Sequence, residues 1–235
     1  MNETIVVTDL TRFSDESEKV CLAGINPENM NLIRPMPYLK RTDCRDYRIL
    51  PGTKIAADFN PAPNIKVPHT EDHLWRNWKI IGQAASDEFR ELLQSNLSPS
   101  ISRGFGMDIT EKVIPEESAP SKSIITIKAA VQLHLFNDGD FQKIRASVTD
   151  SDGLKLRFMS ITDFGFYRYV QKLLSKHELS RLFEFDRFLR SQSEIFLRLG
   201  LGRLWKSKDG RTGFWLQVNG IYTFSEFSEE IRSYE

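Results

Sequence analysis

Short β-branched and apolar runs, each closed by Asn, Asp, Gly or Pro, recur along this chain, a pattern that reads as strands punctuated by turns. Residues 4–10 form the first run. Residues 19–25 follow the polar turn 14–18, and residues 30–35 follow Asn26-Pro27-Glu28-Asn29. There proline presets φ and asparagine tolerates left-handed geometry. Two successive hairpins predict a three-stranded meander, a common opening for a small antiparallel barrel. Residues 53–59 and 74–81 supply a fourth and a fifth strand around the turn Asn60-Pro61-Ala62-Pro63. Residues 36–52, with Lys40, Arg41, Arg45 and Arg48, read as a basic loop.

Residues 86–97 predict a helix with Ser86 as N-cap, Asp87 and Glu88 in the first turn, and Phe89, Leu92, Leu93 and Leu97 on one face. A second set of five strands then follows: residues 124–135, 141–149, 154–162, 194–203 and 214–224. Asn137-Asp138-Gly139-Asp140 and Asp150-Ser151-Asp152-Gly153 are hairpin signals. Residues 164–190 turn helical within this half, with Val170, Leu173, Leu182 and Leu189 among the apolar positions. Five short strands are the strand count of an OB fold. The expected architecture is mainly β with a few helices (α+β): two OB-like five-stranded antiparallel barrels in tandem. Residues 1–97 hold the first with its helix, 98–122 connect, and 123–235 hold the second with its helical insertion.

With 235 residues and 40% apolar composition, the chain has room for two small cores. Its 32 Lys and Arg balance 32 Asp and Glu, which argues against a protein that coats DNA by charge alone but leaves room for a local basic groove. The two cysteines, Cys21 and Cys44, lack metal-ligand spacing, and Cys21 in an apolar run reads as a buried hydrophobe. No apolar stretch approaches the ~18 residues a membrane helix needs, and the N-terminus reads as a strand, not a targeting segment. A cytoplasmic location is expected.

Three stretches, in order, carry a family resemblance: Lys19-Val20-Cys21-Leu22-Ala23-Gly24-Ile25 with Leu32-Ile33-Arg34-Pro35; Pro68-His69-Thr70-Glu71-Asp72; and Leu199-Gly200-Leu201-Gly202-Arg203 with Trp215-Leu216-Gln217-Val218-Asn219-Gly220-Ile221-Tyr222. The chain thereby resembles the bacterial dual OB-fold domain proteins. The resemblance departs at Leu32, where an aromatic is expected, and at Leu204, where proline is expected. It implies two fused barrels and a role in sensing nucleic acid or nucleotides, as a sensor or accessory component of a bacterial defence-type system.

The candidate ligand-binding residues are Arg34, His69, Asp72, Tyr167, Arg203, Gln217 and Tyr222. Guanidinium forks at strand ends suit phosphates and base edges; the alternative is that each arginine pairs with a nearby carboxylate. Phe164, Phe166, Tyr167 and Tyr169 around Arg168, and Trp75 and Trp78 around Arg76, have the composition of a stacking surface, or of core filling. Trp215 reads as core. Asp9 and Asp163 each follow a threonine at a strand end, as a carboxylate pair or as acceptors of backbone amides. His69, Asp72 and His73 would hold a divalent ion only on a helix, and no third ligand cluster is evident. No catalytic signature, metal site or cofactor motif is recognised. The expected activity is non-enzymatic binding of nucleic acid, single strands preferred, or of a nucleotide. A protein partner and a metal-assisted hydrolase are the alternatives.

Overall fold

The computed structural model describes residues 2–14, 16–138, 141–224 and 231. The first sheet contains β1 (Asn2–Arg12), β2 (Lys19–Ile25), β3 (Leu32–Met36), β4 (Leu39–Lys40), β5 (Thr53–Pro61) and β6 (Asp72–Gln83). Its order is β1-β5-β6-β3-β2, with β1 paired back to β2, so these five strands close a barrel and β4 extends β2. All pairings are antiparallel except β3 with β6, where Arg34 lies opposite Asp72. Alternation decides what fills it: Ile5, Val7 and Leu10 of β1, Val20 and Leu22 of β2, Ile33 and Ile55 point inwards to one apolar cluster.

The second sheet repeats that order. The strands β8 (Ile124–Asp138), β9 (Phe141–Asp150), β10 (Lys155–Ile161), β11 (Phe196–Leu201) and β13 (Thr212–Tyr222) close in the order β8-β9-β10-β13-β11-β8, with β10 and β13 the parallel pair. β12 (Trp205–Lys206) pairs with the start of β13. Each barrel carries helix between its third and fourth strand: α1 (Arg41–Asp46) in the first, α4 (Phe164–Ser175) and α5 (Leu179–Ser191) in the second. Asp163 caps α4, its Oδ1 accepting from the Phe166 amide at 3.1 Å. Phe166, Tyr169, Val170 and Leu173 recur at helical spacing and enter the second core, as do Leu182, Phe185 and Leu189 of α5.

Several local expectations are revised. The basic loop at 36–52 contains β4 and α1, because Leu39 and Cys44 are drawn into the first core. Residues 124–135 lie within a longer strand, β8, that runs on to Asp138. The N-cap of α2 (Ser86–Ser95) is Ala85, whose amide donates to Glu88. The connecting stretch 98–122 holds α3 (Ile101–Phe105) and β7 (Val113–Ile114), and its Ile101, Phe105, Ile109 and Ile114 are buried in the second barrel's core. The hairpin signal at Gly139-Asp140 and the turn position Asp15 lie outside the described residues. Among the described residues no helix is long and apolar enough to cross a membrane.

Candidate functional site

The barrels meet outer face to outer face. On β1, an irregularity in the register between Val7 and Asp9 turns Asp9 outwards. On β11, Leu197, Leu199 and Leu201 point into the second barrel and Arg198 points out. The two outward groups meet: Arg198 donates from Nε to Asp9 Oδ2 at 2.9 Å and from Nη1 to Thr126 Oγ1 at 2.7 Å, its Nη2 lies 2.8 Å from the same Asp9 oxygen, and Arg198 is fully buried. Around this pair, Tyr222 donates its hydroxyl to the Thr8 carbonyl at 2.6 Å, and the Arg12 amide donates to the Thr162 carbonyl at 2.9 Å. The Arg12 guanidinium lies 3.7 Å above the Tyr167 ring. Val6, Ile25, Phe89, Phe196 and Tyr222 form a separate apolar cluster that seals the seam.

A second polar network crosses the seam. Arg34, only 5% exposed, donates to Asp72 Oδ1 at 2.6 Å and to Ser123 Oγ at 3.3 Å, and its Nη2 lies 3.5 Å from Glu71. The Ser123 hydroxyl donates to Glu71. Arg203 donates from Nη2 to Asp72 Oδ2 at 2.8 Å and to the Tyr38 hydroxyl at 2.9 Å. Burial pushes the Asp72 carboxyl up, but the Arg34 charge and the hydrogen bonds from both arginines outweigh it and hold it below the ordinary carboxylate range. His69 stands edge-on to Phe214 at 5.7 Å. Burial, reinforced by the Arg34 and Arg203 charges, pushes its imidazole down to about 3.

Six of the candidate ligand residues, Arg34, His69, Asp72, Tyr167, Arg203 and Tyr222, therefore sit in or beside the seam. Their pairing matches the alternative in which arginines serve neighbouring carboxylates. Asp9 and Asp163 are engaged as described and do not face a common cleft. His69 and His73 are not on a helix; the His73 Nδ1 contacts the Glu71 carbonyl at 2.8 Å, and no cluster of three or more His, Cys, Asp and Glu suited to a metal occurs among the described residues. Cys44 is buried, and burial, with Asp43 beside it, pushes its thiol up to about 12.

The seventh candidate, Gln217, lies elsewhere, on a face the sequence reading did not assemble. The outer surface of β9, β10 and β13 forms a recess of about 580 Å³ lined by Lys112, Lys143, Arg145, Phe158, Trp205 and Trp215, with Phe136, Ser160 and Gln217. Register explains the arrangement. Ser160 pairs with Arg145 on β9 and with Gln217 on β13, giving a polar row across three strands, and the Arg145 guanidinium donates to the Ser160 hydroxyl. Aromatic groups stand on either side. Phe136 and Phe158 meet edge-on at 5.0 Å, with His134 4.9 Å from Phe158; Trp205 and Trp215 lie 5.7 Å apart. Phe158 is 41% exposed and Trp205 55% exposed, and Trp215, expected in the core, is half-buried. The Lys112 ammonium donates to the Phe158 carbonyl at 3.3 Å, and burial, with Arg145 and Arg211 nearby, lowers its proton affinity. Arg211, paired with Asp209, lies 5.1 Å over the Trp215 ring.

The alternation of Lys143 and Arg145 with Ile144 and Ala146 was the available signal for this face. Phe158 escaped because it sits at a register irregularity with φ 56°, where simple alternation fails.

The motifs behind the resemblance also acquire reasons. A Cβ at Gly200 would collide with the Asn219 side chain, and the Gly202 amide donates to the Trp215 carbonyl at 2.9 Å. Comparison with curated proteins gives no match. The family model described as the dual OB-containing domain matches residues 10–221, nearly the whole of the two barrels. The chain belongs to the dual OB-containing domain family.

Proposed function

We propose that the chain binds single-stranded nucleic acid on the open face of its second barrel. One observation carries this reading: exposed rings of Phe136, Phe158 and Trp205 interleaved with Lys112, Lys143 and Arg145 on a single recessed surface. Ring faces accept stacked bases of any sequence, and interleaved cations follow the backbone phosphates. The surface comprises the second and third strands of the barrel, the face OB folds use for oligonucleotides, and β12 with Trp205 lies in the loop between the fourth and fifth strands. A neutral whole-chain charge is compatible with this because the cations are local. A sensor or accessory role in a bacterial defence-type system would use such a face to detect exposed single strands.

Titration of labelled single-stranded DNA and RNA 12-mers, a matched duplex and free nucleotides, at 50 and 200 mM salt, tests the proposal. Single strands should bind more tightly than the duplex and quench tryptophan fluorescence as bases stack on Trp205 and Trp215. Tighter binding of free nucleotides would convert the recess into a nucleotide pocket, whose volume lies within the usual small-ligand range. Binding of none of these would leave the face to a protein partner.

A further inference from the structure

We propose that Arg203 is a positioning residue through which the first barrel sets the affinity of the second barrel's open face; this rests on the ligand reading above. The loop from Gly202 to Arg211 carries Trp205 to the recess and, through Arg203, bonds the first barrel's Asp72. Two residues before Trp205, Arg203 reaches across the seam and grips two first-barrel groups at once, Asp72 and Tyr38. Asp72 is itself fixed from behind by Arg34, which bonds Ser123 just before β8. The anchor is thus a rigid point, not a mobile surface carboxylate. Tyr38 is braced in turn by Phe13 at 4.9 Å.

The other end of the loop is held from the same side. Phe214, next to Trp215, packs edge-on against His69. Two first-barrel residues three apart in sequence, His69 and Asp72, therefore contact the two segments that present Trp205 and Trp215. An exposed ring gives little stacking energy if the chain beneath it must first be ordered, because that ordering entropy is lost on binding. A tethered loop has already lost it. Arg203 touches no ligand in this scheme; it acts through Trp205.

A double-mutant cycle on the full chain tests this, with Kd for a single-stranded 12-mer as the readout. Arg203→Ala should weaken binding about tenfold, and Trp205→Ala by a comparable factor, while the double variant should bind no worse than Trp205→Ala alone. Tyr38→Phe, which deletes one hydroxyl and leaves the Asp72 contact, should give a smaller loss that also vanishes in the Trp205→Ala background. It keeps the test decisive should Arg203→Ala unfold. Additive losses in the cycle, or a Tyr38→Phe loss that persists without Trp205, would overturn the positioning role while leaving the ligand reading in place. A wild-type chain that binds no oligonucleotide would remove both.

Discussion

On β2 and β3 of the first barrel, Ala23, Ile25 and Arg34 point outwards and are buried beneath the second barrel. On β9 and β10 of the second, the outward positions carry Lys143, Arg145 and Phe158 and reach solvent. Strand order and closure are the same in the two barrels. The same backbone surface is spent on an internal interface in one copy and left open in the other, so topology alone does not say which barrel meets a ligand. Side-chain chemistry does. Small and apolar groups with an arginine paired to Asp72 make a dry joint; rings interleaved with cations make a wet, adaptable surface. On the proposed reading, the first barrel acts as platform and the second as reader.

The largest effect that could break this division is at the joint. Arg198→Ala leaves Asp9 as a buried, uncompensated charge, and urea unfolding should show a loss of about 3–5 kcal/mol. Replacing Arg198 and Asp9 together by Met and Leu should restore most of it, because the buried pair stabilises less than its rupture costs. A small loss for the single variant would mean the barrels are only loosely joined. Arg34→Ala, which removes the cation beside Glu71 and leaves Asp72 to Arg203 alone, belongs to the same class and should lower stability.

Next come the rings of the reader. Phe158→Ala and Trp205→Ala should each weaken single-strand binding by about 1–3 kcal/mol with little change in Tm, since both rings are substantially exposed. The matching change on the platform, Tyr47→Ala at an exposed ring outside the Arg203 anchor, should leave binding within twofold. Equal losses from both barrels would remove the asymmetry.

The division was partly legible before any coordinates. Two sets of five strands, the intervening helices and the hairpin positions followed from alternation and turn residues, because those signals are local. Which outward residues would be covered was not legible. Arg34 and Arg203 carry the same sign of functional promise as Arg145, and only the docking of one barrel on the other separates them. His69 and Asp72 drew notice as a motif, and they do share a cluster, but one that joins barrels. Phe136 and Phe158, far apart in sequence, become neighbours only through barrel pairing and a bulge that shifts Phe158 off the alternating pattern. Trp75, for which core filling is the favoured reading over stacking, belongs to the first core, with Trp78 packed against it.

The joint should also carry a pH signature on the acid side. Because His69 is held down to about 3 from an ordinary value of 6.5, the native state favours its neutral form. Its contribution is complete above pH 6.5 and is lost progressively as pH falls towards 3, since the unfolded chain takes up the proton first. Asp72, also depressed, adds a further loss only below its ordinary value of 3.8. Between pH 7 and 5, wild-type unfolding free energy should fall by roughly 1–2 kcal/mol more than that of His69→Phe. Parallel curves would show that the imidazole is not shielded at the seam.

The smallest effect separates the cations of the two barrels. A lysine that meets a phosphate releases a counterion, so its removal should make log K less steep against log salt by about 0.7 for a single strand. Lys143→Ala on β9 should show this change with only a severalfold loss of affinity at low salt. Arg48→Ala, in the first barrel's basic stretch, is also an exposed cation and costs the chain the same net charge. If attraction were a property of the whole molecule, both variants would shift the curve alike. If the second barrel alone reads the strand, the slope should change for Lys143 and stay fixed for Arg48. A reversed result would move the reading surface to the other barrel, because the salt slope counts phosphates met by individual cations and is indifferent to fold.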